Sequence, residues 1–167
     1  MTRIARWMTP TLVALLLLLG TFGVAAAAET KPTTPPHTAN AELEKQYSLR
    51  QQQLRSVYEM IKRDQHRSAE IAGMIAHAKA EGKNTAALEQ ALAAYHEKLV
   101  AAGAFLQTAA AALKTHAGFD NAGKVTNLDQ ARATLKAAGS AIEQSYRTAQ
   151  SAEELLNKAL AAFHSKK

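Results

Sequence analysis

The distribution of proline and alanine limits the fold of this chain more than any other feature. All four prolines lie at or before Pro36, and residues 37–167 contain none. Alanine, the strongest helix former, fills 37 of the 167 positions, whereas valine, isoleucine and phenylalanine, which favour strands, are sparse. A chain of this length is typical of one domain. The sequence therefore predicts an all-α protein.

The first 28 residues have the layout of a secretory signal peptide. Arg3 and Arg6 precede an apolar run over 11–24, and small residues follow up to Ala28. The apolar run is shorter than the roughly 20 residues that span a bilayer, which favours cleavage near Ala28 over an uncleaved anchor. We therefore expect an exported protein, periplasmic or extracellular, whose mature chain has no transmembrane span.

The mature chain is predicted to be a linker followed by three helices. Residues 29–39 contain three prolines and form a Pro/Thr-rich linker, and residues 40–167 form a helical bundle. Gly82 suits a left-handed helix stop, and either Asn84 or Thr85 can cap the next helix. A second break over 116–127 ends at Asn127, which suits a helix cap. The predicted helices cover about 41–81, 85–116 and 127–164.

Apolar or small residues recur at alternating spacings of four and three along each predicted helix. The first seam consists of Leu43, Tyr47, Arg50, Leu54, Val57, Ile61, Asp64, Ser68, Ile71, Ile75 and Ala78. The second consists of Leu88, Leu92, Tyr95, Leu99, Ala102, Leu106, Ala109 and Leu113. The third consists of Leu128, Ala131, Leu135, Ala138, Ile142, Ser145, Ala149, Ala152, Leu156, Ala159 and Phe163. This period predicts an elongated antiparallel three-helix bundle with coiled-coil-like packing.

Three polar residues, Arg50, Asp64 and Ser68, lie on the first seam where apolar side chains are expected. One interpretation is that they form a seam that specifies a partner or an oligomeric state. The other is that the seam rotates slightly, so that these groups reach water and Tyr58 and Met74 fill the vacated positions. The sequence alone leaves both interpretations open.

The residues that would support catalysis or cofactor binding are missing from the sequence. It has no cysteine, which excludes disulfides and thiolate metal sites, and it has no HExxH or GxSxG motif. The segment 116–130 partly matches a calcium loop through Asp120 and Asp129. However, Gly118 and Ala122 occupy positions that need oxygen-bearing side chains. We therefore expect a protein that is not an enzyme and holds no cofactor.

A cluster of cations on the first predicted helix is the strongest charge feature. Arg55, Lys62, Arg63 and Arg67 are candidates for contact with an anionic surface, either lipid headgroups or wall polymers. The alternative is an ordinary solvated face of mixed charge. The chain carries +6, but the mature part after Ala28 carries +4. Because an exported protein meets little nucleic acid, we expect no nucleic-acid partner.

Two stretches resemble those of exported α-helical proteins of environmental bacteria: EGKNTAALEQALAAYHEKL at 81–99 and the HAGFD…GKVT loop at 116–126. This resemblance implies a helical fold over about 40–165 and supplies no activity, ligand or catalytic residue. Export, small size and long helices also resemble the periplasmic chaperones of the Skp and Spy type in architecture only. The LTxxQ motif of the Spy group is absent, and nothing in the sequence corresponds to the β-rich body of the Skp group.

These features lead to one main functional hypothesis and two alternatives. The main hypothesis is a non-enzymatic envelope protein that binds other proteins, acts like a chaperone, or serves as a structural module. Its partner would be another protein or a second copy of itself. The alternatives are a carrier of a small ligand, either metal or haem, and a reversible binder of anionic envelope surfaces.

Overall fold

The computed structural model describes residues 36–165, which form three helices. The helices are α1 (Pro36–Ala80), α2 (Ala86–Thr115) and α3 (Leu128–His164). Each helix contacts both others. Consecutive helices run antiparallel. Along α1, Tyr47 bonds to Leu113 of α2 and Lys79 pairs with Glu89 of α2, and along α3, Ser145 bonds to Ala102 of α2 and Ser151 to Lys98 of α2. The predicted all-α three-helix bundle is therefore confirmed, and the predicted signal peptide lies outside the described residues.

The helix boundaries agree with the sequence except at the start of α1. The other predicted ends lie within a residue of the observed ones. Helix α1 begins at Pro36 rather than near residue 41, so the last four residues of the predicted linker are helical. Proline is well suited to the first helical position, because the N–H that it lacks would have no partner within the helix. Within the described part of the chain, no helix is long and apolar enough to cross a membrane.

The predicted seams form the interior of the bundle. Every seam position is buried or half-buried. Helices α2 and α3 meet through alanines without exposed surface, so their backbones approach closely: Ala102, Ala109, Ala131, Ala138 and Ala152. The Ser145 hydroxyl is also fully buried and donates to the Ala102 carbonyl at 2.8 Å. This bond satisfies a polar group that would otherwise destabilise the interior.

The loop between α2 and α3 folds back onto α1. The buried Phe119 ring stacks on Tyr47, with 4.3 Å between the ring centroids. The Tyr47 hydroxyl donates to the Leu113 carbonyl at 2.9 Å. Glu44 accepts from the Lys124 ammonium at 2.7 Å and from the Val125 backbone N–H at 3.2 Å. These two interactions, in that order, lower the pKa of Glu44. The loop thus joins all three helices at one end of the bundle.

Candidate functional site

The four predicted surface cations do not share one environment. Arg67 is half-buried and connects α1 to α3: its guanidinium donates to Glu153 at 2.9 Å and to Asn157 at 2.6 Å. Because α3 already supplies partners for its guanidinium, contact of Arg67 with an anionic surface stays a prediction. Arg55, Lys62 and Arg63 are exposed and make no ion pair among the described residues.

The polar seam residues face neighbouring helices rather than open solvent. The Arg50 guanidinium lies against α3 so closely that a Cβ atom placed on Gly139 would be 3.0 Å from its Cζ atom. Arg50 also donates to Gln53 at 2.8 Å. Asp64 is half-buried and Ser68 is buried. The space at Gly139 and the bond to Gln53 allow a charged side chain at the seam position of Arg50.

Tyr58 and Met74 do not fill the seam, so that expectation was wrong. Tyr58 is 58% exposed and Met74 is 53% exposed. Tyr58 directly follows the seam residue Val57, and Met74 directly precedes the seam residue Ile75. Val57 and Ile75 are buried in their place. One residue along a helix turns the side chain by about 100°, which carries Tyr58 and Met74 away from the interior.

Helix α1 is held against α2 at three levels. At one end, Tyr47 bonds to Leu113 of α2. Midway, the Tyr95 hydroxyl of α2 donates to the Asp64 backbone carbonyl at 3.2 Å. At the other end, Lys79 pairs with Glu89 at 3.0 Å, next to the turn that joins the two helices. Between these levels the two helices leave open space at the surface.

Two grooves occupy the space between these levels. The long groove, formed by residues 54–66 of α1 and 103–110 of α2, has a volume of about 850 Å³. The short groove, formed by residues 68–75 of α1 and 89–96 of α2, has a volume of about 450 Å³. The Tyr95–Asp64 contact lies where the two grooves adjoin, because Asp64 falls within the α1 range of the long groove and Tyr95 within the α2 range of the short groove. Both volumes fall within the range of roughly 300–1,000 Å³ that is typical of ligand clefts.

The long groove has apolar residues along both helices and charged residues on the α1 side. Leu54, Ile61 and Leu106 line it as buried or half-buried apolar side chains. The charged lining residues, Arg55, Glu59 and Lys62, all belong to α1. The sequence identified these α1 cations as candidates. It did not identify the α2 side, which includes Gly103 and Gln107.

One signal in the sequence could have identified the α2 side of the long groove. Gly103 interrupts an alanine-rich helix, where glycine costs about 1 kcal/mol relative to alanine. A Cβ atom on Gly103 would meet no other atom within 4 Å. The glycine is therefore not required by close packing, and it leaves the groove wider than another residue would.

The environment of Asp64 disfavours its ionised form. Partial burial raises the pKa of its carboxyl group, and the nearby Glu153 carboxylate raises it further, against the opposing effect of Arg67 and Arg63. Burial, followed by the Asp64 charge, raises the pKa of Tyr95 to about 12. The Tyr95 hydroxyl therefore stays protonated and keeps its hydrogen bond at neutral pH.

The raised pKa of Asp64 predicts a stabilising substitution. Folding favours the protonated Asp64 carboxyl group. The stability that this protonated form contributes is therefore fully present below the unfolded pKa near 3.8, and it is lost as pH rises through the higher folded pKa. We expect Asp64→Asn to raise the melting temperature at neutral pH by at most a few degrees. The gain should shrink as pH falls towards 3.8 in thermal melts of both proteins. A gain that stays constant with pH would contradict this explanation.

The groups that could bind a metal are dispersed over the bundle. Among residues 36–165, no three His, Cys, Asp or Glu residues are grouped so that they could hold a metal ion. In the loop that partly matches a calcium site, one carboxylate oxygen of Asp120 accepts from the backbone N–H groups of Ala122 and Lys124, both at 2.8 Å. This oxygen shapes the turn of the loop.

The chain matches no protein-family model, no curated protein and no solved structure. The resemblance to exported helical proteins therefore stays a prediction from the sequence.

Proposed function

We propose that this protein is an exported, non-enzymatic binding module and that the long groove receives an apolar segment of a protein partner. The observation that carries the proposal is the difference between the two interfaces of α2. Buried alanines let α2 pack closely on α3, whereas α2 and α1 leave the long groove between residues 54–66 and 103–110. Export rests on the signal-peptide layout of residues 1–28.

The dimensions of the long groove support a helical segment as the occupant. Residues 54–66 of α1 extend over roughly 18 Å, the length of about three helical turns. A groove of this kind can receive the apolar face of an amphipathic helix through residues spaced three and four apart. The exposed Tyr58 side chain lies on its edge, and tyrosine is enriched among residues that dominate binding energy.

Filling the groove from within tests the proposal. We expect Gly103→Phe to weaken binding of a dye-labelled, permanently unfolded test protein by at least about tenfold, or 1.4 kcal/mol. The new side chain would enter open space without a clash at its Cβ atom. Fluorescence anisotropy measures the affinity, and circular dichroism checks that the helices remain.

The chain offers a matched control for this substitution. Gly73 is also a helical glycine whose Cβ position is open, but it does not line the long groove. We expect Gly73→Phe to bind the unfolded test protein as the wild type does. Equal weakening by both substitutions would contradict the proposed function.

A further inference from the structure

We infer that the long groove selects acidic amphipathic helices, whose apolar side chains lie between α1 and α2 and whose carboxylates meet Arg55 and Lys62. This inference rests on the proposed function, since it specifies the chemistry of the segment that the groove receives. Its basis is the juxtaposition of an apolar groove with two exposed cations that form no ion pair among the described residues.

The two cations lie on the same side of α1. Arg55 and Lys62 are seven residues apart, which places them two turns and about 10.5 Å apart along one helix face. Neither takes part in an ion pair or a hydrogen bond within the described chain. Arg63, next to Lys62, is also exposed and unpaired. The α1 edge of the groove therefore presents two positive charges that lie two helical turns apart.

The remaining charged residues leave this edge positive. Glu59 is the one carboxylate that lines the long groove. The α2 side contributes Gln107 and no charged residue. A partner with carboxylates two helical turns apart would match both cations, because its own repeat is the same as that of α1. A partner with lysines at those positions would face like charges, which disfavours binding.

Because part of the groove is apolar, its partner needs apolar side chains as well as negative charge. Leu54, Ile61 and Leu106 line the space beside the cations. A helix that carries apolar residues on the adjoining stripe removes this surface from water, which supplies most of the affinity. The charges then determine which apolar helices bind.

A charge-exchange experiment tests the inference. Two synthetic amphipathic helices of about 18 residues share one apolar stripe. They differ only in carrying Glu or Lys at flanking positions seven residues apart. We expect the wild-type protein to bind the Glu peptide about tenfold more tightly than the Lys peptide, and the preference to fall as salt screens the charges. In the double variant Arg55→Glu/Lys62→Glu, the preference should reverse.

A second double variant separates local from overall charge. Lys136→Glu/Lys158→Glu changes two exposed lysines of α3 by the same net charge, away from the long groove. We expect it to keep the wild-type preference for the Glu peptide. The same reversal in this variant would show that net charge, and not Arg55 and Lys62, selects the peptide.

The remaining outcomes distinguish failure of this inference from failure of the proposed function. If the wild-type protein binds both peptides equally and Gly103→Phe weakens both, the groove binds helices without charge selection, and only this inference is overturned. If the wild-type protein binds neither peptide nor the unfolded test protein, the proposed function fails as well. Binding to anionic lipid vesicles but to neither peptide, lost in the Arg55→Glu/Lys62→Glu variant, would replace the helix by a membrane surface.

Discussion

Replacing Gly118 by alanine is expected to destabilise the bundle by about 2–6 kcal/mol. Gly118 has a φ angle of +85°, which costs a residue with a side chain about 1–3 kcal/mol. An added Cβ atom would also lie 2.1 Å from the Ala131 backbone nitrogen and 2.6 Å from the Asn127 carbonyl oxygen. Forcing atoms into occupied space costs about another 1–3 kcal/mol. Urea denaturation followed by circular dichroism measures the loss.

The clash at Gly118 cannot be relieved cheaply, because both of its contacts are backbone atoms at the start of α3. The Ala131 N–H donates to the Asn127 carbonyl at 2.9 Å in the first turn of that helix. The Gly118 carbonyl itself accepts from the Thr126 and Asn127 N–H groups. A shift of α3 to admit the methyl group would disturb these bonds together with the Phe119–Tyr47 contact nearby.

Gly82 provides the control that separates backbone strain from the clash. Its φ angle is +77°, close to that of Gly118, but a Cβ atom there would meet no atom within 4 Å. We expect Gly82→Ala to cost about 1–2 kcal/mol, the strain of a left-handed residue alone. Equal losses for the two substitutions would show that the close approach of α3 contributes nothing.

Replacing Tyr95 by alanine is expected to cost about 3–5 kcal/mol, the usual range for removing a large aromatic side chain from an interior. Tyr95 has no exposed surface, and it forms the middle contact between α1 and α2. Native proteins are stable by about 5–15 kcal/mol, so this loss would be a large part of the total. Chemical denaturation of both proteins gives the difference in the free energy of unfolding.

The substitution Tyr95→Phe divides this loss into packing and hydrogen bonding. It keeps the ring and removes only the hydroxyl that donates to the Asp64 carbonyl, so we expect a loss of about 0.5–1.5 kcal/mol. If Tyr95→Phe cost as much as Tyr95→Ala, the hydrogen bond rather than the buried ring would hold α1 at this level.

The grooves were not predictable from the seam pattern, although the seam pattern itself was right. The periodicity placed Leu54, Ile61 and Leu106 in the interior, where they are buried or half-buried. A seam position is a property of one helix, whereas a groove depends on the distance between two. That distance reflects side-chain volumes along both helices, and it is short where alanines meet.

The environments of the cations on α1 were likewise not predictable from the sequence. The sequence placed Arg55, Lys62, Arg63 and Arg67 together on α1, but it could not show that Glu153 and Asn157 of α3 engage only Arg67. These partners lie 86 and 90 residues away in the chain. The structure therefore divides a cluster that looks uniform in sequence into one internal contact, two groove residues and the exposed Arg63, which lies outside the groove lining.

The sequence by itself determined the number of helices, most of their ends and the residues that face the interior. These properties follow from local chemistry: proline and glycine interrupt helices, asparagine caps them, and periodic apolar residues mark one face. Only the tertiary structure decided that α2 packs closely on α3 while α1 leaves two grooves against α2. The reason is physical: the fit between helices depends on the combined shape of side chains far apart in sequence, which no local pattern contains.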